Sequence, residues 1–184
     1  MPVPGAAVEA AVAAARGYLR VGGTGEDALL ATLARAAFGV GEAFTGAPFL
    51  LRAQEDLVAA TGDWVPLLAE PVSAIAGVTG LPVGAAPFVL PPAAYAVDID
   101  SGGRGWVRAS PSAGTARVAV AYTAGLAATW DALPAAVAQG LVLLIAHLFE
   151  DRAGATLPPA AVAALWRPWR RMRLGAAYVG GAKP

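Results

Sequence analysis

Residues 24–44 read TGEDALLATLARAAFGVGEAF. Leu29, Leu33, Ala37 and Val40 recur on one face at helical spacing, with Leu30 and Phe44 beside it, so the segment predicts an amphipathic helix over about 25–44. Thr24 followed by Asp27 has the form of a T-x-x-D capping box, and Thr45-Gly46 supplies a stop. At Pro48 the hydrophobic period changes. A helical pattern gives way to short apolar runs separated by turn residues, and the fold class follows from that change.

Working back, residues 5–21 are alanine-rich, with Val8, Val12 and Leu19 near helical spacing, and predict a helix ending at Gly22-Gly23. Working forward, FLLRA, DWVPLLA, PVSAIAGVTG, AYAVDID, GWVRA and RVAVAYT predict short strands within a β-rich segment over about 48–125. In AYAVDID, Tyr95, Val97 and Ile99 point to one side, and Asp98 and Asp100 to the other. DSGGRG between two such runs is a hairpin turn. The prolines at 66, 71, 82, 87, 91 and 92 favour edges and loops over long central strands.

The helical period returns over about 133–152, where Asp131 is a candidate cap, Pro134 stands near the first turn, and Val137, Leu141, Leu144, Ile145 and Leu148 form a wide apolar face. Gly154 follows as a stop. LPPAAVAALWRPWRRMRL predicts a last helix over about 159–173 that Pro168 breaks or kinks. Residues 175–184 read as a flexible tail. The expectation is one α+β domain: a small bundle of about four helices with a β-rich insertion between the second and third.

Composition narrows the function. Of 184 residues 57 % are hydrophobic, largely alanine, and only 14 % are charged, against roughly 25 % in an ordinary domain. So sparse a charge favours burial against other subunits. There is no cysteine and a single histidine, which excludes disulfides, thiolate chemistry and cysteine-based zinc sites and leaves hard cations as the only metal option. The N-terminus lacks a basic region ahead of an apolar stretch, and the most apolar run, 140–149, is too short to cross a bilayer. A soluble protein made in the bacterial cytoplasm is expected, with no membrane partner.

His147 lies in IAHLFEDR, four positions before Asp151. The two could pair at a helix end. Catalysis would need a converging nucleophile or second acid, and neither a cysteine nor a G-x-S-x-G serine is present. The glycines of VGGTGED and GVGEAFTG lack the lysine and spacing of phosphate loops. Asp98 and Asp100 share a face and could hold a hard cation, but a solvated edge is the simpler reading. No enzyme, no cofactor and no metal are expected.

Charge is unevenly placed. Residues 152–184 carry Arg152, Arg167, Arg170, Arg171, Arg173 and Lys183 and no acid, whereas all 13 acids lie upstream. LWRPWRRMRL interleaves two tryptophans with four arginines. Such a segment can pack as a last helix, bind a protein through aromatic and arginine hot spots, or contact nucleic acid. A small DNA-binding protein using this basic segment is the alternative function.

Several stretches together resemble the head–tail connector (adaptor) proteins of long-tailed phages and gene transfer agents. ARGYLRVGGTGEDALLATLARAAFGVGEAFTG resembles that family's first helix pair, through Tyr18, Leu19, Arg20, Asp27, Leu29, Leu30, Glu42, Thr45 and Gly46. LAEPVSAIAGV and AYAVDID resemble its proline-valine and tyrosine-led strands. VAVAYTAG resembles the run before its third helix, LPAAVAQGLVLLIAHLFEDR that helix, and LPPAAVAALWRPWRRMRL its closing segment. The chain differs in a longer, proline-rich middle over 80–95 and an alanine-rich first helix.

The resemblance implies a structural subunit that forms a ring, expected to be a dodecamer, at the head–tail interface of a phage-like particle. The ring would dock on the portal protein, meet a stopper or next tail-connector protein, and let DNA through its lumen without sequence-specific contact. On the chain's own charge and tryptophan pattern, residues 157–184 are expected to form the docking arm, loose before docking. Trp166 and Trp169 would be its apolar anchors, and Arg167, Arg170, Arg171 and Arg173 its charges.

Overall fold

The computed structural model describes residues 2–111, 115–151, 154 and 156–171. Its elements run α1 (Gly5–Leu19), α2 (Asp27–Thr45), β1 (Arg52–Ala59), β2 (Val65–Pro66), β3 (Val72–Pro82), β4 (Phe88–Val89), β5 (Tyr95–Ile99), β6 (Gly105–Ala109), β7 (Thr115–Ala124), α3 (Ala135–Glu150) and α4 (Ala160–Trp166). Two helices, a block of antiparallel strands and two helices make a mixed α+β chain. The expected tail over 175–184, and Arg152, Arg173 and Lys183, lie outside the described residues.

The helices share one apolar core. Val8, Ala11 and Ala15 of α1 meet Leu30, Ala34 and Phe38 of α2, Val137, Leu141 and Ile145 of α3, and Val162 and Trp166 of α4. Alanine at the contact positions of α1 lets the backbones approach closely. By length and mean hydropathy α2 could cross a membrane, but it spends its apolar face on this core.

The predicted helix ends shift for local reasons. α1 stops at Leu19, before Gly22-Gly23, because Arg20 itself adopts the left-handed conformation (φ 58°) and its N–H closes on the Arg16 carbonyl. The expected capping box on α2 does not form: Glu26, not Thr24, is the N-cap, and no side chain bonds the helix end as a cap. Asp27 instead faces Arg16 of α1 at 3.3 Å, so the acid ties two helices together while still sitting at a favourable helix N-terminus. The expected stop at Gly46 is present, left-handed at φ 73°. Pro134, not Asp131, precedes α3. α4 ends at Trp166 and continues as one 3₁₀ turn, Arg167–Trp169, because Pro168 has no N–H to extend the helix.

The strands form two antiparallel sheets, ordered β1-β7-β3-β4 and β2-β6-β5. β7 is the spine of the larger sheet, pairing Val58 with Val118 and Asp56 with Val120 on β1, and Val78 with Val120 on β3. The sheets enclose a second core of Val58, Val72, Val78, Leu90, Val107, Val118 and Val120. DSGGRG is the predicted hairpin turn, joining β5 to β6 with Ile99 opposite Gly105. The expected start of the first strand changes. FLLRA is not a strand at its start: Phe49 and Leu50 drop into the helical core, and β1 begins at Arg52. Val97 and Ile99 stay exposed although they share a face with buried Val107, because β5 is an edge strand.

Candidate partner-binding site

The C-terminal segment is laid into a slot that glycines create. A Cβ on Gly140 of α3 would overlap the Trp166 indole, and one on Gly41 of α2 would lie 2.6 Å from the Phe49 ring. The indole fills this space beside Phe44 and Phe49, with ring centroids 6.2 and 5.9 Å away. Its Nε1–H donates to the Val137 carbonyl at 3.2 Å. Trp166 is 2 % exposed. The expectation that it anchors a partner is corrected: an aromatic with its N–H satisfied inside the chain's own core has no surface left to offer.

Arg171 is also engaged within the chain, with its side chain about a third exposed. Its backbone N–H donates to the Thr45 carbonyl at 2.7 Å. Its guanidinium donates to Glu70 at 2.7 Å, and Glu70 also accepts from Arg104 Nε at 2.7 Å. Glu70 is a buried carboxylate held between two arginines, one from the hairpin and one from the end of the chain. Arg171 therefore fastens the last turn across the boundary between the two cores. Three further residues of the set lie at or near the surface. Arg167 and Arg170 are exposed and Trp169 is half-buried against the helical core. The Arg170 guanidinium lies 5.5 Å from the Phe44 ring centroid. Arg173 lies outside the described residues.

The boundary is polar and well satisfied. Glu42 of α2 forms an ion pair with Arg52 of β1 and accepts the Phe49 N–H at 2.9 Å. Asp56, buried in the sheet, accepts from Leu68 N–H at 2.6 Å and Tyr122 O–H at 2.9 Å. The Tyr122 oxygen in turn accepts the Ala69 N–H at 2.9 Å. These groups line an open groove of about 580 Å³ between the end of α2 and the larger sheet. Its carboxylates are engaged in structure, with no nucleophile converging on them. None of Glu42, Asp56, Glu70 and Tyr122 is singled out for this role by the sequence; Glu42 enters only through the resemblance. The signal was present: acids inside otherwise apolar runs need partners.

His147 is half-buried in the last turn of α3, with its carbonyl taking the Asp151 N–H. Asp151 Oδ2 accepts both the N–H and the hydroxyl of Thr156 at 2.6 Å. That carboxylate organises the turn after the helix. Among the described residues no group of three or more acidic or histidine side chains is placed to hold a metal ion. Asp100 caps the hairpin turn, accepting from Gly102 and Arg104 N–H at 2.9 Å and from Trp106 Nε1 at 3.2 Å. The Arg104 bond, then the Trp106 bond, hold its carboxyl below the ordinary value of 3.8.

Neither a protein-family pattern nor a curated protein matches the sequence of this chain. Solved structures do match. The chain is similar to neck components of gene transfer agent particles. A chain in the neck of an empty gene transfer agent particle, computed with C6 symmetry, superposes with a TM-score of 0.80 at 28 % identity, covering 96 % of this chain and 97 % of that one. A chain of the virion of a native gene transfer agent particle gives 0.76 at 29 %, covering 96 % of each. A chain in the neck of a native particle computed with C12 symmetry gives 0.76 at 28 %, covering 96 % and 97 %. The likeness supports a structural component of a phage-like particle, located in that particle. The matched chains are structural parts of their particles.

Proposed function

We propose that this chain is a head–tail connector (adaptor) subunit. It forms a ring of twelve that docks on the portal protein, meets a stopper or further tail connector on its other side, and surrounds the DNA path. The whole chain acts as one connector unit, and no catalytic step is assigned to it. One observation carries the reading: the likeness extends over nearly all of this chain and of neck chains computed with C6 and C12 symmetry. A ring arises when a subunit's two different contact surfaces close on themselves, and the low charge content suits large subunit contacts.

In this reading the portal meets Arg167, Trp169 and Arg170, left open after α4, and Arg173 belongs to the same docking set. Acidic groups on the portal would pair with these arginines, with Trp169 as the apolar contact. Arg171 and Trp166 hold the base of the segment against the body of the subunit, so the docking surface starts from a fixed platform.

The test is negative-stain electron microscopy of the purified protein, alone and mixed with the portal protein of the same particle. Rings, or a portal bearing a collar of added density, are expected. A monomer that leaves the portal unchanged overturns the proposal. A salt titration against duplex DNA checks the alternative, since binding through the basic segment would weaken steeply with salt.

A further inference from the structure

A second surface lies on the outer face of the smaller sheet. Gly105, Val107 and Ala109 of β6 are buried, so Trp106 and Arg108 face outward. Trp106 is opposite Pro66 on β2 and opposite Asp98 on β5. Trp64, just before β2, is 43 % exposed. Trp64, Asp98 and Trp106 line a shallow cleft of about 280 Å³.

The chemistry of the cleft is specific. Trp106 is held by its Nε1–H bond to Asp100. Arg108 lies 5.1 Å from the Trp64 ring centroid and Arg104 5.8 Å from that of Trp106. Arg104 has its charge committed to Glu70. Asp98 is exposed and makes no hydrogen bond or ion pair among the described residues. A free carboxylate flanked by two indoles attracts a cation and repels an anion.

We infer that the Trp64–Asp98–Trp106 cleft is a binding site for an arginine or lysine side chain of a protein partner. The guanidinium or ammonium would lie against the indoles and pair with Asp98. This site goes beyond portal docking and uses none of the residues assigned to it. An apolar occupant would leave the Asp98 carboxylate desolvated and unpaired, and a nucleic acid would bring like charge to it.

The probe is N-acetyl-arginine amide, with N-acetyl-citrulline amide as its neutral counterpart, titrated into the isolated chain. The indole N–H signals of all five tryptophans are followed by NMR. Saturable shifts of Trp64 and Trp106, with Trp166 unmoved, are expected, with arginine binding about fivefold tighter than citrulline. Asp98→Asn should abolish that preference and leave the spectrum otherwise native. Trp64→Ala, at an exposed position outside any strand, should weaken binding of arginine without unfolding the sheet. Equal shifts with both probes, no shifts, or an Asp98→Asn protein that still prefers arginine would overturn the inference. Because no portal is present, the result is independent of whether the connector proposal survives.

Discussion

Arg171 and Glu70, 101 positions apart, lie with Nη1 and Oε2 2.7 Å from each other. The contact joins the segment after α4 to the loop before β3, and so joins the helical core to the β core. Glu70 is buried and shared with Arg104, whereas the two arginines are about a third or more exposed. The carboxylate therefore has more to lose than either partner.

Glu70→Ala should lower stability by about 2 kcal/mol. That is below the roughly 3–5 kcal/mol seen when a fully buried pair is broken, because water screens the two arginines. Arg171→Ala should cost less, since Arg104 still pairs with Glu70. Urea unfolding of the three proteins checks the order. Equal midpoints for wild type and Glu70→Ala would show that the pair does not hold the two cores together.

Trp166→Ala should cost about 3–5 kcal/mol through the cavity it leaves. Gly140→Ala sets two effects against each other. Replacing a helical glycine gains about 1 kcal/mol, but the new methyl overlaps the buried indole, and overpacking costs about 1–3 kcal/mol. The clash should win, giving a lower thermal midpoint. A stabilised Gly140→Ala protein would mean that the indole does not occupy the slot.

Arg167→Glu with Arg170→Glu should abolish portal docking while the thermal midpoint stays near that of wild type. Both side chains are exposed, and exposed ion pairs contribute about 0–1 kcal/mol to folding. Sedimentation of the mixture with the portal, beside a melting curve of the variant alone, separates the effects. Retained docking would move the interface elsewhere.

Asp100 supplies a pH test. Its carboxyl titrates below 3.8 in the folded chain because the turn and Trp106 stabilise the charged form. A depressed folded pKa gives stability that is present above the unfolded value and is lost as pH falls through the folded one. The deficit of Asp100→Asn relative to wild type should therefore be present near neutral pH and shrink on acidification below 3.8. Denaturation midpoints at the two pH values measure it. A deficit independent of pH would show that the charge is not what holds the turn.

Legibility followed periodicity. α2 and α3 were readable because their apolar faces recur over more than four turns, and the β5–β6 hairpin because DSGGRG sits between two alternating runs. β1 was misplaced because its inward face carries Gln54 and Asp56 beside Val58, so its two-residue alternation is not apolar against polar. Asp56 is tolerated there only because Tyr122, 66 positions away, supplies a hydroxyl, a partner no local pattern reveals. The capping box on α2 failed for a related reason: Asp27 found Arg16, a long-range partner, in place of its own helix end.

The candidate site divides along the same line. Sequence alone determined the order of helices, strands and helices, the scarcity of charge, the absence of thiol chemistry and the concentration of tryptophan and arginine near the end of the chain. These depend on residue type and on spacing within one element. Only the tertiary structure decided which of those residues face outward. Trp166 turns inward because Gly41 and Gly140 leave room for it, and Arg171 because Glu70 is buried within reach, while Arg167 and Arg170 are left in water. Trp64, Asp98 and Trp106, drawn from three separate segments, meet only because β2, β6 and β5 are neighbours in one sheet. A side chain's partner across the fold is set by how elements pack, and local sequence carries no record of that distance.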